Sequence, residues 1–226
     1  MKKTLLCYIL TLLPLLAAAQ EDPEYRLELG GGIGMVTYEG DFNDHLFKNM
    51  QPMASLLAKY RFNPRMALAM NIGYGKLKGS SRNVKTYYPE LQNTPVDFNN
   101  SLIDVGARFE YNFWPYGTGR EYRGAKHLTP YIFGGLGVAY AKSNKGEFAI
   151  NIPLGMGVKY KLAPRLNFAA EWAMHFTGSD LLDGVKDPYG IESTGLFKNT
   201  DCFSQLRVSL TYDLWAKCKT CHNDRN

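Results

Sequence analysis

The sequence predicts an all-β fold: an eight-stranded antiparallel transmembrane β-barrel of the outer-membrane type, with a polar lumen filled by side chains. Three observations predict it. Eight segments alternate between apolar and polar residues, glycine is abundant on the polar face, and aromatic residues collect near the segment ends. Alternation with a period of two puts the apolar residues on one face of a strand. An even number of strands suits a closed bacterial barrel.

The predicted strands all repeat one arrangement, which is clearest in the segment 103–113. In chain order the strands are 26–38, 53–62, 66–77, 103–113, 129–141, 149–162, 166–176 and 202–215. The apolar side chains near their middles are Leu29, Leu56, Met70, Val105, Leu136, Leu154, Ala170 and Leu210. Their neighbours on the opposite face are Gly30, Ser55, Asn71, Asp104, Gly135, Gly155, Glu171 and Ser209.

Alternation alone does not show which face is outside, because a soluble barrel such as a lipocalin also alternates. The composition of the two faces decides it. Glycines on the polar face suit a narrow lumen, where each missing side chain makes room for a long one. Aromatic residues on the bulky face predict two membrane-boundary girdles. One girdle holds Tyr60, Phe62, Tyr111, Phe113, Trp114, Tyr160, Tyr212 and Trp215, and the other holds Tyr38, Tyr74, Tyr140 and Phe176.

Charged residues on the inward face are nearly balanced in sign, which predicts a salt-bridge network. A buried unpaired ion costs several kcal/mol, so such residues should pair across the lumen. Eight strands enclose little more than their own side chains, which argues against a solute channel. The predicted network comprises Glu28, Lys59, Asp104, Arg108, Glu110, Lys159, Glu171 and Arg207.

The chain divides into a signal peptide at 1–19, a barrel at 20–215 and a periplasmic tail at 216–226. Lys2 and Lys3 precede an apolar stretch and three alanines, which is the secretory pattern. Basic residues in the remainder are interleaved with acidic ones, so a nucleic-acid partner is not expected. Short connections at 63–64 and 163–164 should be periplasmic turns. We therefore expect an outer-membrane location, a lipid-covered exterior and both termini in the periplasm.

One connection on the expected periplasmic side is long. It carries Tyr116, Arg120, Tyr122 and Arg123, which are residue types enriched at protein contacts. We expect a partner contact here, the alternative being an ordered cap over the barrel end.

Chemistry-bearing motifs are few, and no enzyme activity, cofactor or metal is expected. Cys218 and Cys221 stand in a C-x-x-C-H pattern, which fits haem attachment or a zinc site. Because little chain follows the motif, we instead expect a disulfide, either local or to another subunit. His175 could be assembled with nearby loop residues into a catalytic group, but their spacing is not diagnostic. A pairing of His175 with Glu171 inside the lumen is the ordinary alternative.

The sequence resembles the PorG family of the Bacteroidota type IX secretion system. The resemblance covers about 21–221 and is carried by YGTGREYRGA at 116–125, LTPYIFGGLG at 128–137, YEGD at 38–41, IPLGMGVKYKL at 152–162 and the cysteine-containing tail. It implies a non-enzymatic outer-membrane component that associates through its periplasmic face with a ring of a lipoprotein and a partner protein. A structural or adhesive barrel without a secretion role is the alternative, and it would bind partners on the outer side.

Overall fold

Eight β-strands make up the whole of the regular structure among the described residues. The computed structural model describes residues 25–39, 49–80, 97–118, 125–142, 146–178 and 201–216. The predicted signal peptide and the C-terminal tail lie outside these ranges. The strands are β1 (Tyr25–Glu39), β2 (Gln51–Asn63), β3 (Met66–Ser80), β4 (Asp97–Asn112), β5 (Leu128–Lys142), β6 (Gly146–Ala163), β7 (Leu166–Thr177) and β8 (Cys202–Ala216).

The strands close into a barrel in which each pairs with its sequence neighbours and β8 pairs back to β1. Every pairing is antiparallel, and the closing register sets Glu28 opposite Asp213. The predicted fold class is therefore confirmed. Within the described ranges, no helix has the length and apolar character needed to cross a membrane.

The two ends of the barrel differ. We call the turn end the one at which β1 begins, β8 ends, and β2–β3, β4–β5 and β6–β7 are joined, and the loop end its opposite. The β2–β3 turn is held by Asn63, whose side-chain oxygen accepts the backbone N–H groups of Arg65 and Met66, both at 2.8 Å. This is the local bonding that makes Asn common in turns.

Strand β4 begins six residues earlier than predicted, because its pairing with β3 continues as far as Asp97 opposite Ser80. The asparagines at 99 and 100 obscure the apolar alternation there. Phe98 and Leu102 consequently face the interior instead of lying in a loop.

The outer surface is apolar along every strand, with side chains such as Leu56, Ile72 and Leu136 more than half exposed. A contiguous apolar surface of this extent is rare on soluble monomers. One member of the predicted girdles is wrong: Tyr38 is fully buried, because strict alternation along β1 places it on the inward face. It packs edge-on against Phe98, with ring centroids 4.9 Å apart.

Candidate functional site

The interior is filled by an ionic network, and Glu171 on β7 is one of its centres. Arg108 donates from Nη1 and Nη2 to both carboxylate oxygens of Glu171, at 2.8 and 2.7 Å. Arg207 donates from Nε to the same carboxylate at 2.7 Å, and the Tyr131 hydroxyl donates to it at 2.5 Å. All four side chains are buried. One carboxylate thus accepts hydrogen bonds from two guanidinium groups and a phenol.

A second centre, Glu110 on β4, is linked to the first through Arg108. Lys159 Nζ lies 2.6 Å from the Glu110 carboxylate, and Lys59 Nζ lies 3.6 Å from it. Arg108 Nε donates to Glu110 at 3.1 Å, and its guanidinium carbon lies 4.1 Å from the centroid of the Phe133 ring. The bidentate and ring contacts compensate for the loss of water around the buried guanidinium.

A third group of ion pairs lies nearer the turn end. Arg61 Nη2 lies 2.5 Å from Glu28 and 3.0 Å from Asp213, while Lys161 Nζ lies 2.5 Å from Asp213. Lys59 connects this group to Glu110, since its Nζ is 3.7 Å from Glu28. The three groups therefore form one continuous network across the lumen.

The last predicted member of the network, Asp104, belongs to a mainly uncharged group. Its carboxylate accepts from the side-chain amides of Asn71 and Asn151, each at 3.0 Å. His175 Nδ1 lies 3.3 Å from Asn151 Oδ1 and 3.8 Å from Asp104. His175 lies in the lumen, as the alternative to a catalytic group predicts, but beside Asn151 and Asp104 instead of Glu171, because residues four apart on one strand lie about 13 Å apart along it.

The loop-end part of the polar lumen also contains an apolar cluster, beside buried polar residues such as Asn100 and Gln205. Inward-facing aliphatic and aromatic side chains pack there into one buried cluster, and the Phe203 ring also stacks on His175 at 4.3 Å. Sequence reasoning missed this cluster because Phe98 was assigned to a loop and Tyr38 to the outer face. The other members were not assigned to the inward face of any strand. The cluster consists of Val36, Tyr38, Met53, Leu77, Phe98, Leu102, Ala139, Ala141, Ala149 and Phe203.

Tyr116 closes the turn end from inside. Its side chain is 4% exposed, so it is not the surface contact that its residue type predicted. Its hydroxyl donates to Asn167 at 2.9 Å, and its ring lies 5.3 Å from the Arg61 guanidinium. Burial raises the pKa of Tyr116 well above its ordinary value, so the phenol stays protonated and able to donate. This residue acts as a cap, which was the alternative reading of the long connection.

The backbone of the β4–β5 connection is held against the barrel on both sides of Tyr116. The Tyr116 N–H donates to Pro64 at 3.0 Å, and Lys126 and Pro115 are joined by a 2.7 Å backbone hydrogen bond. The Lys161 N–H donates to His127 at 2.8 Å. The described ends of this connection are therefore an ordered part of the turn-end surface.

We expect the Tyr116→Phe variant to unfold with a free energy about 1 kcal/mol lower than the parent, because it loses one buried hydrogen bond while keeping the ring. The measurement is urea unfolding in lipid vesicles, followed by tryptophan fluorescence. Tyr60→Phe is the matched control, since Tyr60 lies on the outer surface at 37% exposure. Equal losses in the two variants would contradict the capping role of the hydroxyl.

Four basic residues are spaced around the turn end of the barrel. Arg65 lies in the β2–β3 turn, Lys126 in the β4–β5 connection, Arg165 in the β6–β7 turn and Arg26 at the start of β1, so the four recur at every second strand of the barrel. Each is exposed or half-buried. The carboxylates near this end among the described residues, such as Asp213, are buried. We call these four residues the cationic rim.

Aromatic rings hold two members of the rim in place. Lys126 Nζ lies 4.6 Å from the Trp114 ring centroid, and the Arg165 guanidinium lies 5.5 Å from that of Tyr25. Cation–π contacts of this kind orient long side chains at little cost in solvation.

The remaining predicted site residues lie outside the described ranges: Arg120, Tyr122 and Arg123 of the long connection, and Cys218 and Cys221 of the tail. Among the described residues, no cluster of three or more His, Cys, Asp or Glu side chains could hold a metal ion.

A closed barrel with an apolar exterior and an interior of paired charges defines an integral membrane β-barrel protein. The chain matches the family model of the outer membrane protein beta-barrel domain over residues 5–211, and it belongs to that family. Its location is therefore the outer membrane, where its exterior contacts lipids. No curated protein matches the sequence.

Solved structures with a similar fold include small outer-membrane proteins. Neisserial surface protein A has a TM-score of 0.50 and 15% identity, over 83% of this chain and 97% of that chain. OprG from Pseudomonas aeruginosa has a TM-score of 0.47 and 12% identity, over 87% and 99%. Ail, the attachment invasion locus protein of Yersinia pestis, has a TM-score of 0.44 and 12% identity, over 85% and 99%. At these identities the likeness concerns the fold alone.

Proposed function

We propose that this protein is a non-enzymatic component of the type IX secretion machinery, which binds the periplasmic ring of a lipoprotein and its partner protein through the turn end. The sequence resemblance at 116–125 and 128–137 suggests the assignment. The observation that carries it is the filled interior. The lumen is occupied by ion pairs, by Tyr116 and by the apolar cluster. Other molecules therefore contact the barrel at its surfaces and do not pass through it.

The turn end is the periplasmic end in this proposal. Bacterial outer-membrane barrels place their short turns in the periplasm and their longer loops outside. The turns at Pro64–Arg65 and Pro164–Arg165 each have two residues between strands. Both ends of the barrel segment, at Tyr25 and Ala216, then face the periplasm, as does the tail that follows.

The cationic rim indicates the chemistry of the partner surface. Complementary charge steers association and sets orientation more than it adds affinity. Exposed and half-buried basic residues spaced around the turn end favour an acidic partner. Arg120, Tyr122 and Arg123 remain the proposed contact residues of the connection, whereas Tyr116 is withdrawn because it is buried.

A photo-crosslinking amino acid placed at position 126 should capture the ring proteins in native outer membranes, and one placed at position 142 should not. Lys126 lies two residues before the start of β5 and Lys142 is its last residue, and both are exposed, so the pair compares the two ends of the barrel near one strand. The products are identified by mass spectrometry. The Arg120→Ala, Tyr122→Ala, Arg123→Ala variant should weaken the position-126 product at least several-fold.

Two outcomes would oppose the proposal. Crosslinks to partner proteins from position 142 alone would favour the adhesive barrel, which binds on the outer side. Absence of any protein product at position 126, with the barrel folded and abundant, would favour a purely structural role. A triple-alanine variant with an undiminished product would remove the contact role from those three residues while leaving the ring association intact.

A further inference from the structure

Two lysines and a serine form a row on the outer surface near the loop end. Lys76 on β3 is paired with Ser101 on β4, and Ser101 is paired with Lys142 on β5. All three side chains face outward, because their chain neighbours Leu77, Leu102 and Ala141 are buried inside. Both lysines are exposed, and Ser101 is half-buried. The register thus sets one hydroxyl between two ammonium groups.

The row lies at the boundary of the apolar exterior. The next outward-facing row towards the turn end contains Tyr74, Ile103, Tyr140 and Phe148 in adjacent strands. Tyr140 and Phe148 pack together with ring centroids 4.6 Å apart. Aromatic residues of membrane barrels mark the level at which hydrocarbon gives way to headgroups. Lys76, Ser101 and Lys142 therefore stand at headgroup level.

Among the described residues, outward-facing positive charge at this level is confined to one sector. Lys78, paired with Asn99, adds an exposed cation in the next row towards the loops. On the described parts of β1, β2, β6, β7 and β8, no lysine or arginine faces outward at the loop end. The outward carboxylate of β4 closest to the row is that of Asp97, four residues from Ser101 and about 13 Å along the strand. Glu147 on β6 is paired with Ala141, next to Lys142, but it belongs to the inward-facing set of β6, as does the buried Ala149. Among the described residues, an anion at the row therefore meets cations with no outward-facing acid beside it.

We propose that this row binds the phosphate group of a phosphorylated glycolipid in the leaflet around the loop end. Neighbouring strands are about 4.8 Å apart, so the two lysine backbones are about 10 Å apart. Flexible lysine side chains on either side converge on one phosphate over Ser101, whose hydroxyl donates a hydrogen bond to it. Lysine stems run along apolar surface while their ammonium groups reach the headgroups, and basic pockets at this depth bind anionic lipids.

The test uses the purified full barrel in neutral detergent with four probes: monophosphorylated lipid A, the same lipid without its phosphate, phosphatidylglycerol and inorganic phosphate. Binding is measured by native mass spectrometry and by the midpoint of thermal unfolding. The parent should bind the monophosphorylated lipid at least tenfold more tightly than the dephosphorylated one. The Lys76→Gln, Lys142→Gln variant should lose most of that preference, and Ser101→Ala a smaller part.

The matched control is Lys126→Gln, which removes one exposed lysine of the β4–β5 connection, at the opposite end of the barrel, and should leave the preference unchanged. Equal binding of the two lipid A forms to the parent would overturn the proposal. So would an equal loss of preference in the Lys126→Gln control. Equal binding of phosphatidylglycerol would overturn the choice of a glycolipid, and binding of inorganic phosphate alone would show an ion site without lipid. No partner protein is present, so failure here leaves the secretion proposal untouched.

Discussion

Replacing Glu171 by glutamine should lower the free energy of unfolding by about 3–5 kcal/mol, which is the cost of breaking a buried ion pair by removing one partner. Glu171 accepts hydrogen bonds from Arg108, Arg207 and Tyr131 in the middle of the barrel. The neutral amide would leave two buried guanidinium groups undercompensated. Urea unfolding in lipid vesicles and the mobility shift between unheated and heated samples in gel electrophoresis measure the effect.

The matched control for this experiment is Glu147→Gln, the same substitution at a half-buried glutamate near the loop end. Substitutions at such surface positions change stability by less than about 0.5 kcal/mol. If Glu171→Gln behaves like Glu147→Gln, the ionic network does not stabilise the barrel, and the filled lumen would need another explanation. If Glu171→Gln does not reach a folded state at equilibrium, the refolding yield is measured instead. It should be lower for Glu171→Gln than for Glu147→Gln.

The second large effect is expected from Gly157→Ala, which should destabilise the barrel by about 1–3 kcal/mol through overpacking. A Cβ at Gly157 would lie 2.6 Å from the Ala170 carbonyl oxygen and 2.8 Å from Cε1 of the Tyr131 ring. The first of these is backbone and cannot rotate away. Because Tyr131 also donates to Glu171, a shift of its ring would disturb the ionic network as well.

Gly73→Ala is the matched control, another inward-facing strand glycine exchanged for the same residue. A Cβ at Gly73 would find its nearest neighbour, the Met53 methyl, at 3.5 Å, which is an ordinary contact. Alanine there should be neutral or stabilising by about 0.4–1 kcal/mol, because it restricts the unfolded chain. The two variants are compared by urea unfolding, and opposite signs are expected. Equal destabilisation would show that strand glycines matter for backbone flexibility and not for the space they leave in the lumen.

These expectations bear on function because a rigid, filled barrel presents fixed surfaces at both ends. The network and the Tyr116 cap fill the interior at the turn end, beneath the cationic rim that is proposed to bind a partner. At the loop end, the buried apolar cluster supports the strands that carry Lys76, Ser101 and Lys142. Each proposed binding surface is therefore supported by the interior side chains at the same end of the barrel.

Local alternation in the sequence was sufficient to determine the number of strands, their order and the face of most residues. A period of two is a property of the strand itself, so it can be read without knowing any partner. The same pattern identified the inward-facing charges, among them Glu28, Arg108 and Glu171, and the structure finds these three buried. Burial of charge in turn required pairing, since an isolated ion in the lumen is too costly.

Only the tertiary structure decided which inward side chains meet. Contacts across a lumen depend on the stagger of distant strands, which local pattern does not encode, so Arg108 of β4 reaches Glu171 of β7, and His175 lies beside Asp104 instead of Glu171. The same holds for Tyr116, whose residue type suggests a contact surface although the connection folds back and buries it. Strand length at the loop end was likewise set by pairing, because Phe98 and Leu102 become interior residues only once β4 extends along β3.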